Sequence, residues 1–182
     1  MSAIIHIESD GWKSRLDEDF TEENVVRIAD AAARVWSRTA PGAIAYVAYD
    51  ARPEAERFAC LVGRVLAGYG LAAMVSDRFA PTPALAWTVA HDNRACGGIM
   101  VTGSHNPYDY LGIKLYMDDG GIASAEFAEE IEASIEGEPS DVRGPIERRD
   151  IVLPYLDDLC ALVDGDAISR AHLTVGVDPL YG

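Results

Sequence analysis

A serine, a histidine and a lysine fall close together in one short stretch, "GGIMVTGSHNPYDYLGIKLY", residues 97–116. Ser104 offers a hydroxyl that can act as a nucleophile or accept a phosphate. His105 carries a proton near neutral pH, and Lys114 is a compact positive charge suited to an anion. Phosphoryl transfer asks mainly for positioning and charge neutralisation, so these three types on one loop suit it. Gly103 and Gly112 permit the backbone angles of a sharp loop and the close approach of another group. The same Ser104, His105 and Asn106 could equally do no more than satisfy a tight turn through side-chain to backbone hydrogen bonds, and residue types alone leave both readings open. A serine-hydrolase reading is weaker, because the loop lacks a G-x-S-x-G elbow and His105 is adjacent in sequence.

The flanking segments say what must position this loop. Thr21 is placed to cap a helix whose apolar residues Val25, Ile28, Ala29, Ala32, Val35 and Trp36 recur at helical spacing. A strand follows from Ala45 to Tyr49, ending at Asp50, then a helix with Phe58, Leu61, Val62 and Val65 facing inward and Gly70 as its stop. "LAAMV" reads as a strand, "TPALAWTVAHDN" as a helix opened by proline, and "GGIMVT" as a third strand. Strands alternating with helices predict an α/β fold, a three-layer αβα sandwich on a mostly parallel sheet. "GIKLYM" returns antiparallel beside the third strand and makes the sheet mixed. An acidic helix near Ser124 to Glu136, a polar hinge "EGEPSDVRGP" and a helix around Leu153 to Val163 come next. "HLTVGVDPLYG" reads as one more strand followed by a βα turn, as if a further domain began there. In this fold class sites form outside the carboxyl ends of strands, where Ser104 falls.

The formal net charge of −15 argues against nucleic acid or an anionic membrane as partner, since neutralising phosphates over a long footprint takes a basic face. Cys60, Cys96 and Cys160 lie far apart in apolar segments, as reduced core thiols do. Neither a signal peptide nor a run of membrane-spanning length is evident, so a cytoplasmic location is expected.

The serine loop resembles the active-serine loop of the α-D-phosphohexomutases, the phosphoglucomutase and phosphomannomutase superfamily, which reads T-[AG]-S-H-N-P followed by G-x-K. "IESDGWKSRLDEDFTEENV" resembles the family's N-terminal F-G-T-D-G-W-R signature, "YDARPEAERFA" its D-x-R-x-S segment, "APTPAL" its T-P turn, and "LTVGVDPLYG" the opening strand of its second domain. The resemblance implies domain I of such an enzyme over residues 1–138, with 139–182 as a hinge and helix leading into a second domain. It implies that Ser104 is a phosphoserine that donates its phosphoryl group to a hexose 1- or 6-phosphate through a bisphosphate intermediate. It further implies catalytic roles for His105 and Lys114, phosphate contacts from Lys13 and Arg52, a Mg²⁺ touching the phosphate on Ser104, and a hexose 1,6-bisphosphate as activator. The remaining domains of the family would supply the metal loop, the sugar-selecting loop and a phosphate-binding loop, so the segment alone is expected to be inactive. A non-catalytic phosphosugar-binding module is the alternative.

Several positions depart from the pattern. Ile7, Glu8, Ser9 and Lys13 stand where the signature has phenylalanine, glycine, threonine and arginine, and lysine lacks the forked geometry of arginine. Glu54 replaces a frequent serine, while Tyr108 and Leu111 stand where proline and asparagine are often seen. "VDGDAISR" resembles a D-x-D-x-D-R metal loop but lacks the third aspartate, and a solvated turn or helix cap is the simpler reading of Asp164 and Asp166. His6, His91 and His172 have no partners at ligand spacing, Trp12, Trp36 and Trp87 read as packing residues, Arg15 as an ion-pair partner, and Asp50 with Arg52 as braces of the loop at the first strand's end.

Overall fold

The structure is a computed structural model that describes residues 4–8 and 11–179. One six-stranded sheet runs through it in the order β1 (Trp12–Arg15), β5 (Tyr110–Tyr116), β4 (Ala95–Val101), β2 (Ile44–Tyr49), β3 (Ala72–Ser76), β6 (Glu147–Arg149). The pairs β2–β3, β2–β4 and β3–β6 are parallel, whereas β4–β5 and β1–β5 are antiparallel. Every residue of β2 is buried, as a central strand covered on both faces requires. Both edges are short and charged: β1 carries Lys13 and Arg15, and β6 is Glu-Arg-Arg, which discourages edge-to-edge pairing.

Two apolar clusters flank the sheet and give the three layers. On one side α1 (Glu22–Thr39), α2 (Ala55–Gly68) and α4 (Ala125–Ala133) cover Val47, Ile99, Val101, Leu111 and Ile113. On the other, α3 (Thr82–His91) and the start of α5 (Val152–Ala161) cover Tyr46, Ala48 and Met100. Strand alternation explains the split, since Ile99 and Met100 are neighbours that point to opposite faces. Thr21 caps α1 by accepting from Asn24 N at 3.2 Å, with Glu22 and Glu23 at the positive end of the helix, and Ser124 caps α4 in the same way at 3.2 Å. Gly70, at φ +85°, follows the end of α2 in the left-handed conformation of a helix stop.

The α/β class and the sequence-predicted helices and central strands are present. β1 and β6 add to them: four and three residues, mostly polar, on the sheet edges, where no apolar alternation is needed. Residues 139–155 stay with this sheet, through β6 beside β3 and Ile151 in the cluster under α3. The polar connection is strapped to α1, where Asp30 accepts from the backbone and hydroxyl of Ser140 at 2.8 and 2.6 Å and Arg27 donates to the Glu136 carbonyl at 2.8 Å. The strand expected in residues 172–182 is absent from the described part, residues 172–179. No strand pairs with it there, and Leu173, Val175 and Val177 are each more than 70% exposed. Leu180, Tyr181 and Gly182 lie outside the described residues.

Other expectations resolve on geometry. Asp164 caps the short α6 (Gly165–Arg170) by accepting from Ala167 N at 2.8 Å, so the aspartate pair serves a helix start. Arg15 pairs with Asp17 and Asp109 at 3.0 and 3.2 Å. Trp36 is buried, and Trp87 stacks on His91 and donates to Asp158 at 2.7 Å. His6 pairs with Glu132 at 2.8 Å. All three cysteines are free, but Cys160 is exposed rather than in the core, because the α5 face carrying it has nothing packed against it among the described residues. Burial pushes the Cys96 thiol up to about 12, which leaves it unreactive at neutral pH.

Asp92, which ends α3, anchors the start of β4. Its carboxylate accepts from Arg94 N, Nε and Nη2 at 3.0, 3.0 and 3.1 Å and from the Tyr46 hydroxyl at 2.9 Å. The Arg94 guanidinium, with the backbone and Tyr46 bonds, lowers its pKa to about 2, while burial and the Asp92 bond push Tyr46 up to about 12. A carboxyl with a folded pKa below its unfolded value of about 3.9 stabilises the fold fully above that pH and loses the effect as pH falls towards 2. Asp92→Asn is therefore expected to melt several degrees below wild type near neutral pH. In thermal melts taken between about pH 5 and pH 2, that difference should shrink as the acid limit is approached.

Candidate active site

The Ser104 loop joins β4 to β5 at the carboxyl end of the parallel strands, and one acidic and one basic side chain from just past the end of β2 hold its backbone. Asp50 takes the amide side. Its Oδ2 accepts from the Thr102 hydroxyl at 2.6 Å and from Gly103 N at 3.1 Å, and Thr102 Oγ1 in turn accepts from Ser104 N at 2.9 Å. Thr102 is buried, so its hydroxyl has a built partner on either side. Arg52 takes the carbonyl side, with Nη2 on Ser104 O and Asn106 O at 2.9 and 2.5 Å and Nη1 on Tyr110 O at 3.2 Å and on Pro107 O. Its Nε faces Asp50 Oδ2 at 3.3 Å.

This frame holds Ser104 at φ +52°, a left-handed conformation that costs a residue with a side chain about 1 kcal/mol. The turn exposes the Ser104 side chain at the mouth of the loop. Lys114, on the adjacent strand, places Nζ 3.5 Å from Ser104 Oγ. Lys13 on β1 stands opposite Gly112 in the ladder, and a Cβ at Gly112 would lie 3.0 Å from Lys13 Cβ and 2.7 Å from Trp12 O. A small pocket is lined by Ser104, His105, Lys13, Lys114, Trp12 and Gly112, so four of the sequence-predicted site residues meet at one place. Arg52 lies beneath the loop. On the other side of Ser104 an open cleft of about 750 Å³ runs past Asp50, Arg52, Pro81, Thr82, Thr102 and Tyr108. Tyr108 is 81% exposed on the rim of that cleft.

Phosphate chemistry fits this arrangement, with an exposed hydroxyl between lysines at the ends of strands. A bound divalent cation is a different matter. Among the described residues no group of three or more His, Cys, Asp or Glu side chains is placed to hold a metal ion, and the nearby Asp50 carboxylate is engaged by Thr102, Gly103 and Arg52.

The sequence profile described as phosphoglucomutase/phosphomannomutase, alpha/beta/alpha domain I, matches residues 6–141. The chain belongs to this family. Phosphoglucomutases from two Staphylococcus aureus strains, MRSA252 and bovine RF122 / ET3-1, are 32% and 33% identical over 133 residues, 72% of this chain and 24% of each relative. A Thermus thermophilus structure described as a phosphomannomutase superposes with a TM-score of 0.87 at 35% identity, covering 93% of this chain and 38% of the other. The exocytosis-sensitive phosphoprotein pp63/parafusin of Paramecium, at 16% identity and a TM-score of 0.73, shares the fold. The chain thus spans about a quarter of the length of the curated relatives it matches. Within the matched domain I, the serine loop, the Asp50–Arg52 frame and both lysines all fall inside residues 6–141.

The sequence reading missed Thr102 as the link between Asp50 and Ser104 N. The signal was present as a threonine directly before the glycine, but a hydroxyl at a strand end has many possible partners. Ser9, one of the signature departures, lies outside the described residues.

Proposed function

We propose that this chain contributes the phosphoryl-carrying serine of a hexose phosphate mutase, which interconverts hexose 1-phosphate and hexose 6-phosphate. The observation that carries the reading is the Ser104 hydroxyl, exposed on a braced left-handed turn with Lys114 Nζ 3.5 Å away. Phosphorylated Ser104 passes its phosphoryl group to the free hydroxyl of a hexose phosphate. The bisphosphate so formed returns its other phosphoryl group to Ser104, which is why a hexose 1,6-bisphosphate activates the enzyme. Lys114 and Lys13 offset the charge on the phosphoryl oxygens, and His105 exchanges the proton of the sugar hydroxyl. Mg²⁺, when bound to the serine phosphate, adds further charge neutralisation, its other ligands coming from outside the described residues. The same reading has the segment inactive by itself and the enzyme cytoplasmic. No described helix is long and apolar enough to cross a membrane.

Tandem mass spectrometry of the full-length protein after incubation with glucose 1,6-bisphosphate tests this. Phosphate on the peptide containing Ser104 is the expected result. An unmodified Ser104 in folded protein supplied with Mg²⁺ favours the non-catalytic phosphosugar-binding module instead.

A further inference from the structure

The forked side chain beneath the serine loop has its donors committed. A guanidinium carries five N–H donors and no acceptor. In Arg52 the four Nη hydrogens go to the carbonyls of Ser104, Asn106, Pro107 and Tyr110, and Nε faces the Asp50 carboxylate. The side chain is 17% exposed and borders the cleft, and the one N–H outside these four bonds, on Nε, is turned to the Asp50 carboxylate at 3.3 Å. The family resemblance implies a phosphate contact for this arginine, whereas its place at the first strand's end reads as a brace of the loop. From its donor count we infer that Arg52 is a positioning residue, which fixes the Ser104 loop from within and does not bind the substrate phosphate. This deepens the proposed function and rests on it.

Three further observations converge on the same point. The carbonyls that Arg52 gathers span the whole turn from Ser104 to the first residue of β5, so one rigid plane sets the curvature of the loop. Asp50 grips the amide side of the turn and also accepts from Arg52 N at 3.0 Å, which locks the two halves of the frame together. Gly103 supplies the room: a Cβ there would lie 2.3 Å from Arg52 Cζ, 2.4 Å from Nη1 and 2.5 Å from Nε. Any side chain at residue 103 must push the guanidinium off its carbonyls. Gly103 and Arg52 are therefore two halves of one device, although they lie in separate segments of the sequence. A lysine at position 52 would keep the charge but reach the loop with a single point of contact.

The test uses the full-length protein and its variants Arg52→Gln, Arg52→Lys and Gly103→Ala, with two independent readouts. Amide hydrogen exchange is expected to rise in residues 103–110 of each variant while the sheet stays protected. With hexose phosphate as substrate, kcat should fall by roughly 100-fold, as a displaced reacting group entails, and KM should stay within a few-fold of wild type. Gly103→Ala should add little to Arg52→Gln in the double variant, because both remove the same contact. Should Arg52→Gln fail to accumulate, Arg52→Lys and Gly103→Ala carry the measurement. Unchanged loop exchange overturns the inference whatever the activity, and so does a large rise in KM at constant kcat, which would put Arg52 on the phosphate. A wild-type protein with no turnover would count against the proposed function and would leave the exchange readout to decide the clamp.

Discussion

Ser104→Ala in the full-length protein is expected to lower kcat by at least about 10⁴-fold, because the covalent carrier itself is gone and no neighbouring group can stand in for it. Stability should change by less than about 0.5 kcal/mol, since the hydroxyl is exposed and its one side-chain partner is Lys114 at 3.5 Å. Turnover assays and thermal melts on the same preparation separate the two effects. A variant that keeps substantial turnover would sink the assignment of Ser104. A variant that keeps its affinity for a hexose phosphate while the wild type also shows no turnover would point to the binding module.

Phe20→Ala is expected to give the largest loss of stability, about 3–5 kcal/mol, for which a fall in melting temperature of roughly 10 °C is the measure. Phe20 is 1% exposed and lies between two rings, stacked on Trp12 at 5.3 Å and edge-on to Phe58 at 4.8 Å. It bridges β1 to α2, and β1 has only β5 as a ladder partner. Truncating Phe20 leaves a cavity and removes the support under Trp12, whose neighbour in the strand is Lys13. The same variant should therefore weaken phosphate binding more than a core substitution under β3 would. Phe20→Leu, which refills most of the space, should recover most of the stability. A Phe20→Ala protein within about 1 kcal/mol of wild type would show that β1 is held by its ladder alone.

What could be read from the residues follows from how many independent signals each element carries. α1 announced itself through a cap, an acidic first turn and an apolar stripe, and β2 through an uninterrupted apolar run bounded by Asp50. β1 and β6 gave no such sign. An edge strand buries little, so Trp-Lys-Ser-Arg and Glu-Arg-Arg have no periodicity to betray them, and their pairing is decided by the strand beside them. At the site, Ser104, His105 and Lys114 stand together in the sequence and were recognisable as a group. Lys13 enters the same pocket only because β1 pairs with β5. The place of Arg52 just past β2 marks it as a brace of the loop, but which four carbonyl oxygens it gathers is encoded in no pattern of side chains. The tail shows the opposite case: Leu173, Val175 and Val177 alternate as a strand should, yet alternation supplies no partner strand, and none pairs with residues 172–179 here.

Those same residues bear on how this segment would behave in solution by itself. Leu173, Val175 and Val177, with Leu162, Val163 and Ile168 on the preceding turn and helix, present apolar surface that is more than half exposed at every position. Against this stands a net charge of −15, which makes copies repel one another. The reach of that repulsion is about 8 Å in physiological salt and about 3 Å at 1 M, whereas apolar attraction does not fade with added salt. For this segment by itself, added salt is therefore expected to bring copies together at residues 162–177 before it does so at the charged edges of the sheet, as light scattering against salt concentration would show.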